Sequence, residues 1–123
     1  MTQLSHLTAD HLSRLNASCE LVEREYVTRE TGEVVPSSSS TDASHAAARK
    51  HLADTLASIP DKAVVELLAL MWLGRGDSGT DFSEILEHAR KDFDAHTRGY
   101  LAAKSPLRSY IAKGLAASGA IPR

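Results

Sequence analysis

The tract from Ala63 to Leu73 constrains this fold most: eleven residues, all apolar except Glu66. A helix that is apolar on nearly every side belongs in the middle of a domain, with other elements packed around it. It reaches only about 16 Å, against roughly 30 Å of bilayer hydrocarbon, so it is too short to span a membrane. Glu66 then becomes a question of its own, because a buried carboxylate needs partners. Arg75 or Arg98, each able to make a bidentate contact, is the expected one.

Several amphipathic segments are available to surround that helix. From about Ala9 to Glu25, with Thr8 as N-cap, the residues Thr8, Leu12, Leu15, Cys19, Val22 and Tyr26 recur at alternating steps of four and three, which forms one helical stripe. So narrow a stripe packs on one partner helix, in the same chain or in a second copy, and the latter makes a homodimer through the N-terminal helix one expectation. Tyr26 to Val35 contains two β-branched runs around Thr31-Gly32, readable as a short hairpin or as irregular loop. An isolated hairpin is marginal in water and needs support. Pro36 and Ser37 to Ser40 read as a flexible linker. The expected division is therefore residues 1–40, carrying helix, hairpin and linker, and a helical core domain over residues 41–123.

Within that core, Thr41-Asp42 opens an alanine-rich helix ending near Ser58. His45, Ala48, Leu52, Leu56 and Ile59 line one side, and Ala43, Ala46, Ala47, Ala53 and Ala57 permit close approach on the other. Ser58-Ile59-Pro60-Asp61 signals the start of the apolar helix, with Ser58 as its cap, and the glycines from Gly74 to Gly79 end it. Asp81 and Glu84 have capping-box spacing. The face Phe82, Ile85, Leu86, Ala89, Phe93, His96 and Tyr100 predicts one long helix carried through Gly99 to about Lys104, with His96 pointing inward. Ser105-Pro106 opens a last helix, and Gly119 stops it. The fold class expected is an all-α bundle of four or five helices. At 123 residues and 42% hydrophobic content, such a chain buries enough surface to fold without a disulfide or metal.

The run Glu66 to Asp77, with Met71-Trp72-Leu73-Gly74-Arg75-Gly76 at its end, resembles an uncharacterised bacterial family, domain of unknown function 3775. Its members carry a similar helix, then a second one leading into a His-Thr-x-x-Tyr-Leu-like segment, then a Pro-started last helix. Here those are His96-Thr97-Arg98-Gly99-Tyr100-Leu101 and Ser105-Pro106-Leu107, so the resemblance covers about residues 58–119. It implies a single helical unit and a bacterial-type cytoplasmic protein, and it brings no activity, cofactor or partner. Met1 to His6 shows neither the basic start nor the apolar stretch of a signal peptide, which also points to a cytoplasmic chain.

Motifs for chemistry are sparse. Arg75-Gly76-Asp77 is an adhesion tripeptide only in an extracellular loop; otherwise it is the exit of a helix, with Arg75 and Asp77 as candidate contact residues. The same glycine-rich stretch lacks the spacing of a phosphate loop. Glu84, His88, Asp92 and His96 recur every four residues, but such a row drifts around a helix and seldom aims four ligands at one point, so no metal is assigned. Cys19 lies on an apolar stripe, and no Gly-x-Ser-x-Gly elbow exists. Neither an enzyme nor a cofactor is expected.

Charge is the uneven feature. The net charge is -2, yet residues 95–123 contain no acid and five bases, Arg98, Lys104, Arg108, Lys113 and Arg123. Such a segment can contact nucleic acid, or it can pair with the acidic N-terminal part. The expectation is a non-catalytic cytoplasmic interaction module that acts as a regulatory or accessory binder of another protein. Its candidate contacts are Arg75, Asp77, Arg98, Lys104, Arg108 and Lys113. The alternative is a nucleic-acid-associated regulator using the basic C-terminal segment.

Overall fold

The computed structural model describes residues 3–28, 30–38, 41–76, 81–103 and 107–123. Among them are six helices and one hairpin: α1 (Ala9–Glu23), β1 (Tyr26–Thr28), β2 (Val34–Pro36), α2 (Asp42–Ser58), α3 (Asp61–Arg75), α4 (Phe82–Asp92), α5 (Thr97–Ala103) and α6 (Leu107–Ser118). The all-α reading holds, with a small antiparallel hairpin appended.

Helix α3 is the axis of the molecule. Every residue from Ala63 to Met71 is buried, as an all-round apolar helix requires. It packs mainly against α6 and α4, while α1 packs on α2, and α2 on α5. Leu4, Leu7, Leu12, Leu15 and Cys19 belong to the same hydrophobic cluster as Leu52, Leu56, Leu67, Leu70, Met71, Leu101 and Ile111, so residues 4–19 share one core with the helices that follow. The stripe on α1 is thereby covered from within the chain, and no second copy is needed to bury it.

The closest helix crossing lies between α3 and α6. A Cβ on Gly74 would overlap the Tyr110 carbonyl and stand 2.8 Å from the Gly114 nitrogen, and one on Gly114 would overlap the Leu70 carbonyl. The sequence reads Gly74 as a stop signal; it is instead an interior residue of α3 that lets two backbones touch. The stop is Gly76, left-handed at φ 109°, with its N–H bonded to the carbonyls of Trp72 and Leu73.

Both chain ends meet beside this crossing. Gln3 and Ile121 form a parallel bridge; Leu4 N–H donates to the Ile121 carbonyl (2.8 Å), Arg123 N–H to the Leu7 carbonyl (2.8 Å), and Ala9 N–H to the Arg123 carbonyl (3.1 Å). Residues 3–8 thus form an extended strap laid over α3 before α1 begins. Thr8 then caps α1 in a reciprocal pair with His11.

The hairpin pairs Tyr26 with Pro36, Val27 with Val35, and Thr28 with Val34. It leans on the first turns of α2. The Tyr26 ring stands edge-on to His45 with centroids 5.5 Å apart, and Ser44 Oγ donates to Glu25 Oε1 at 2.6 Å.

Four sequence expectations need correction. The long helix over residues 81–104 is two helices, because the chain turns extended at Phe93 (ψ 127°). There the Asp94 carboxylate accepts from His96 N–H (2.8 Å), while Thr97 Oγ1 accepts from Asp94 N–H (2.9 Å). These two side-chain-to-backbone bonds compete with helix continuation and start α5 afresh, raising the helix number to six. The alanine side of α2 (Ala43, Ala46, Ala47, Ala53, Ala57) faces solvent and no helix approaches it. Ser58 does not cap α3; its hydroxyl donates to the Thr55 carbonyl. Nor do Asp81 and Glu84 close a capping box, since Asp81 makes no side-chain cap bond. The start of the last helix at Ser105-Pro106 lies outside the described residues, as do Ser39 and Ser40 of the linker.

Candidate functional site

Most of the basic residues singled out by the sequence can now be placed. Arg98 is drawn inward: its Nε donates to the Leu56 carbonyl (2.9 Å), and its Nη2 donates to the Ile59 carbonyl (2.6 Å) and to Asp61 Oδ1 (2.8 Å). It closes the carbonyl end of α2 and lies over the Phe93 ring, 5.9 Å from its centroid. Arg108 bridges to Glu20 (2.7 Å) and Glu23 (3.2 Å) on α1. The basic C-terminal segment therefore turns at least this charge toward the acidic N-terminal helix. Arg75 donates to the Tyr100 hydroxyl at 2.9 Å. Lys113 is exposed on α6, whereas Asp77 and Lys104 lie outside the described residues.

Glu66 is buried, as expected of α3, but neither Arg75 nor Arg98 is its partner. Its carboxylate accepts three consecutive backbone N–H groups of the strap: Ser5 (3.0 Å), His6 (2.8 Å) and Leu7 (2.6 Å). Successive amides converging on one anion form a nest. A carboxylate thus held needs no cation, and the strap's N–H groups gain an acceptor they could not find in an apolar groove. Sequence spacing shows nothing of this, because backbone donors carry no side-chain signature.

His96 also departs from expectation. With α4 ending at Asp92, the ring no longer continues the apolar face of that helix and is exposed at the head of α5. The row Glu84, His88, Asp92 and His96 is broken in the same step, and among the described residues no three metal-ligating side chains are grouped.

A second polar link was missed because Ser18 sits between apolar stripe positions. Its hydroxyl lies 2.7 Å from His51 Nδ1 and 2.7 Å from Thr55 Oγ1. The serine is fully buried, so the contact joins α1 to α2 and offers a substrate no approach. Cys19, next to it, has its thiol pushed up to about 11, first by burial and then by the Glu23 carboxylate. A thiol so protonated is a poor nucleophile.

Among several open pockets, one of about 260 Å³ is lined by Leu68 and Trp72 of α3, Asp92, Asp94 and His96 at the α4–α5 break, and Thr97 and Tyr100 of α5. The break contributes to it: a continuous helix would have carried Asp92 and His96 along one axis, whereas with the turn both line the same pocket as Trp72. Trp72 is half-buried and Tyr100 exposed. Two stretches far apart in the chain, Met71 to Gly76 and His96 to Leu101, meet here, Arg75 binding the Tyr100 hydroxyl across them. Asp92 ends α4, so the negative end of that helix dipole adds to the two carboxylates.

A family profile described as "Protein of unknown function (DUF3775)" matches residues 49–120. The match begins inside α2 and ends just past α6, so it takes in the whole pocket and leaves out the strap, α1 and the hairpin. Searches of the curated proteins and of the solved structures find no match. No helix among the described residues is long and apolar enough to cross a membrane.

Proposed function

This chain belongs to the DUF3775 family, and on that premise we propose that it is a non-catalytic interaction module whose partner protein docks at the α3–α5 pocket. One observation carries the reading. Two of the three stretches that bear the family resemblance converge on an open pocket with aromatic walls, and half-exposed Trp and Tyr are the side chains that most often anchor protein interfaces. The poor nucleophilicity of Cys19 and the burial of Ser18 support a role without covalent chemistry. The inward engagement of Arg98 and the pairing of Arg108 with Glu20 and Glu23 weigh against the nucleic-acid alternative, leaving Lys113 and Arg123 as the exposed bases described on that segment.

The test is quantitative capture of partners from a host lysate after nuclease treatment, with wild-type protein, Tyr100→Ala and Lys113→Glu, each checked for native helicity. A stoichiometric protein retained by wild type and Lys113→Glu but lost from Tyr100→Ala supports the reading. Retention by Tyr100→Ala removes the pocket from it. Capture that appears only when nuclease is omitted, and fails with Lys113→Glu, replaces it with the nucleic-acid alternative.

A further inference from the structure

We infer that the α3–α5 pocket receives a cationic side chain, a lysine or arginine carried on an exposed basic segment of the partner protein. This deepens the docking reading above and rests on it. Its volume of about 260 Å³ is enough for one long side chain entering from the open rim. Its walls suit the stem and the charge separately. Leu68, Trp72 and Tyr100 offer apolar and aromatic surface to a methylene chain, and aromatic faces attract a cation.

The carboxylates supply the counter-charge. Asp92 and Asp94 are both exposed, and among the described residues neither pairs with Lys or Arg. Six other acids are matched, Asp10 with Arg14, Asp54 with Lys50, Glu87 with Arg90, Asp61 with Arg98, and Glu20 and Glu23 with Arg108; what sets Asp92 and Asp94 apart is their place together on an aromatic-walled pocket. Asp94 uses one oxygen to hold the His96 N–H, which fixes the carboxylate at the rim before any ligand arrives. Arg75, bonded to the Tyr100 hydroxyl, is the cation at the edge and limits the site to a single incoming positive charge.

Trp72 is the sole tryptophan of the chain, so its fluorescence reports this pocket and no other. The probes are blocked tripeptides, acetyl-Gly-Xaa-Gly-amide with Xaa arginine, lysine, norleucine or glutamate, titrated into the full-length protein. The expected result is a saturable change in Trp72 emission with the arginine or lysine peptide. Binding of the norleucine peptide is at least about tenfold weaker, equivalent to about 1.4 kcal/mol, and the glutamate peptide is silent. Asp92→Asn combined with Asp94→Asn abolishes the response and leaves the far-UV spectrum unchanged, because Asn at 94 still accepts the His96 N–H.

Equal binding of norleucine, no saturation with either cationic peptide, or a response that survives the double substitution would overturn the inference. Agmatine binding tenfold tighter than the arginine peptide would also overturn it, by assigning the site to a small free cation. If the cationic peptides fail while partner capture still requires Tyr100, the docking reading stands and the charge assignment falls. If they bind while capture ignores Tyr100, the pocket accepts a cation that the captured partner does not supply, and the docking reading and this inference both fall.

Discussion

Helix α3 has two unlike sides, and comparing them separates what holds this protein together from what it presents. Glu66, Leu70 and Gly74, spaced by four, face the strap and α6. Leu68 and Trp72, about 200° round the helix from Glu66 and Leu70, face the α4–α5 break. On the first side, polar and steric demands are closed: three amides meet one carboxylate, and two glycines allow backbone contact. On the second, an aromatic ring and two carboxylates keep exposed surface. A charge built into a fully satisfied buried network serves stability, while charge left at the rim of an aromatic pocket is free to act on something else.

The comparison breaks first at Glu66. Glu66→Ala strands the strap's N–H groups, of which that of Leu7 is buried, and should cost about 3 kcal/mol in urea denaturation, given ~1–3 kcal/mol per unsatisfied buried group. Glu66→Gln, keeping one acceptor oxygen, should cost less. A loss no larger than that of Tyr100→Ala would erase the distinction between the two sides. Gly114→Ala comes next, at about 2 kcal/mol, since the Leu70 backbone it meets cannot turn aside; an unchanged melting temperature would show that the helices do not cross here.

Cys19 sharpens the picture of the closed side. Its native thiol, raised to about 11, should resist thiol reagents at pH 8 and react only on unfolding. Burial raises the folded value above the unfolded one of about 9.0, so this contribution is complete below pH 9 and is lost as pH climbs toward 11. Rapid labelling of the native protein at pH 8 would contradict the burial. Arg108→Ala removes partly exposed ion pairs and should change stability by only about 0.5 kcal/mol, less at high salt. Smallest in stability and largest in binding is Tyr100→Ala: about 0.5 kcal/mol or less in the melt, with loss of the captured partner. A severe melting defect in this variant would move Tyr100 to the structural side.

Much of the helical layout was legible in the residues. Thr8 and Thr41 cap where they should, the apolar run becomes the buried axis, and Gly119 stops α6. The misreadings share one cause. Phe93, His96 and Tyr100 continue the helical period of α4, so periodicity carried the helix forward, while Asp94 and Thr97, the pair that stops it, read as ordinary surface residues. Likewise Gly74 carried a correct small-residue signal, but whether a glycine ends a helix or admits a neighbour depends on what crosses it. Of the pocket, Asp92 and His96 were in view only as members of a four-residue row, whereas Trp72, Asp94 and Tyr100 were read only as parts of helices.

By itself, then, the sequence determined the number of strongly periodic segments, the central place of residues 63–73 and the need to satisfy Glu66, because helical period, burial and desolvation are local properties of residue type and spacing. Only the tertiary structure decided that the strap's amides satisfy Glu66, that α1 is covered within the chain, that Arg98 and Arg108 serve the fold, and that Trp72 and Tyr100 share a pocket. Those outcomes depend on groups brought together across 25 to 88 positions of chain, and on backbone donors that every residue carries alike.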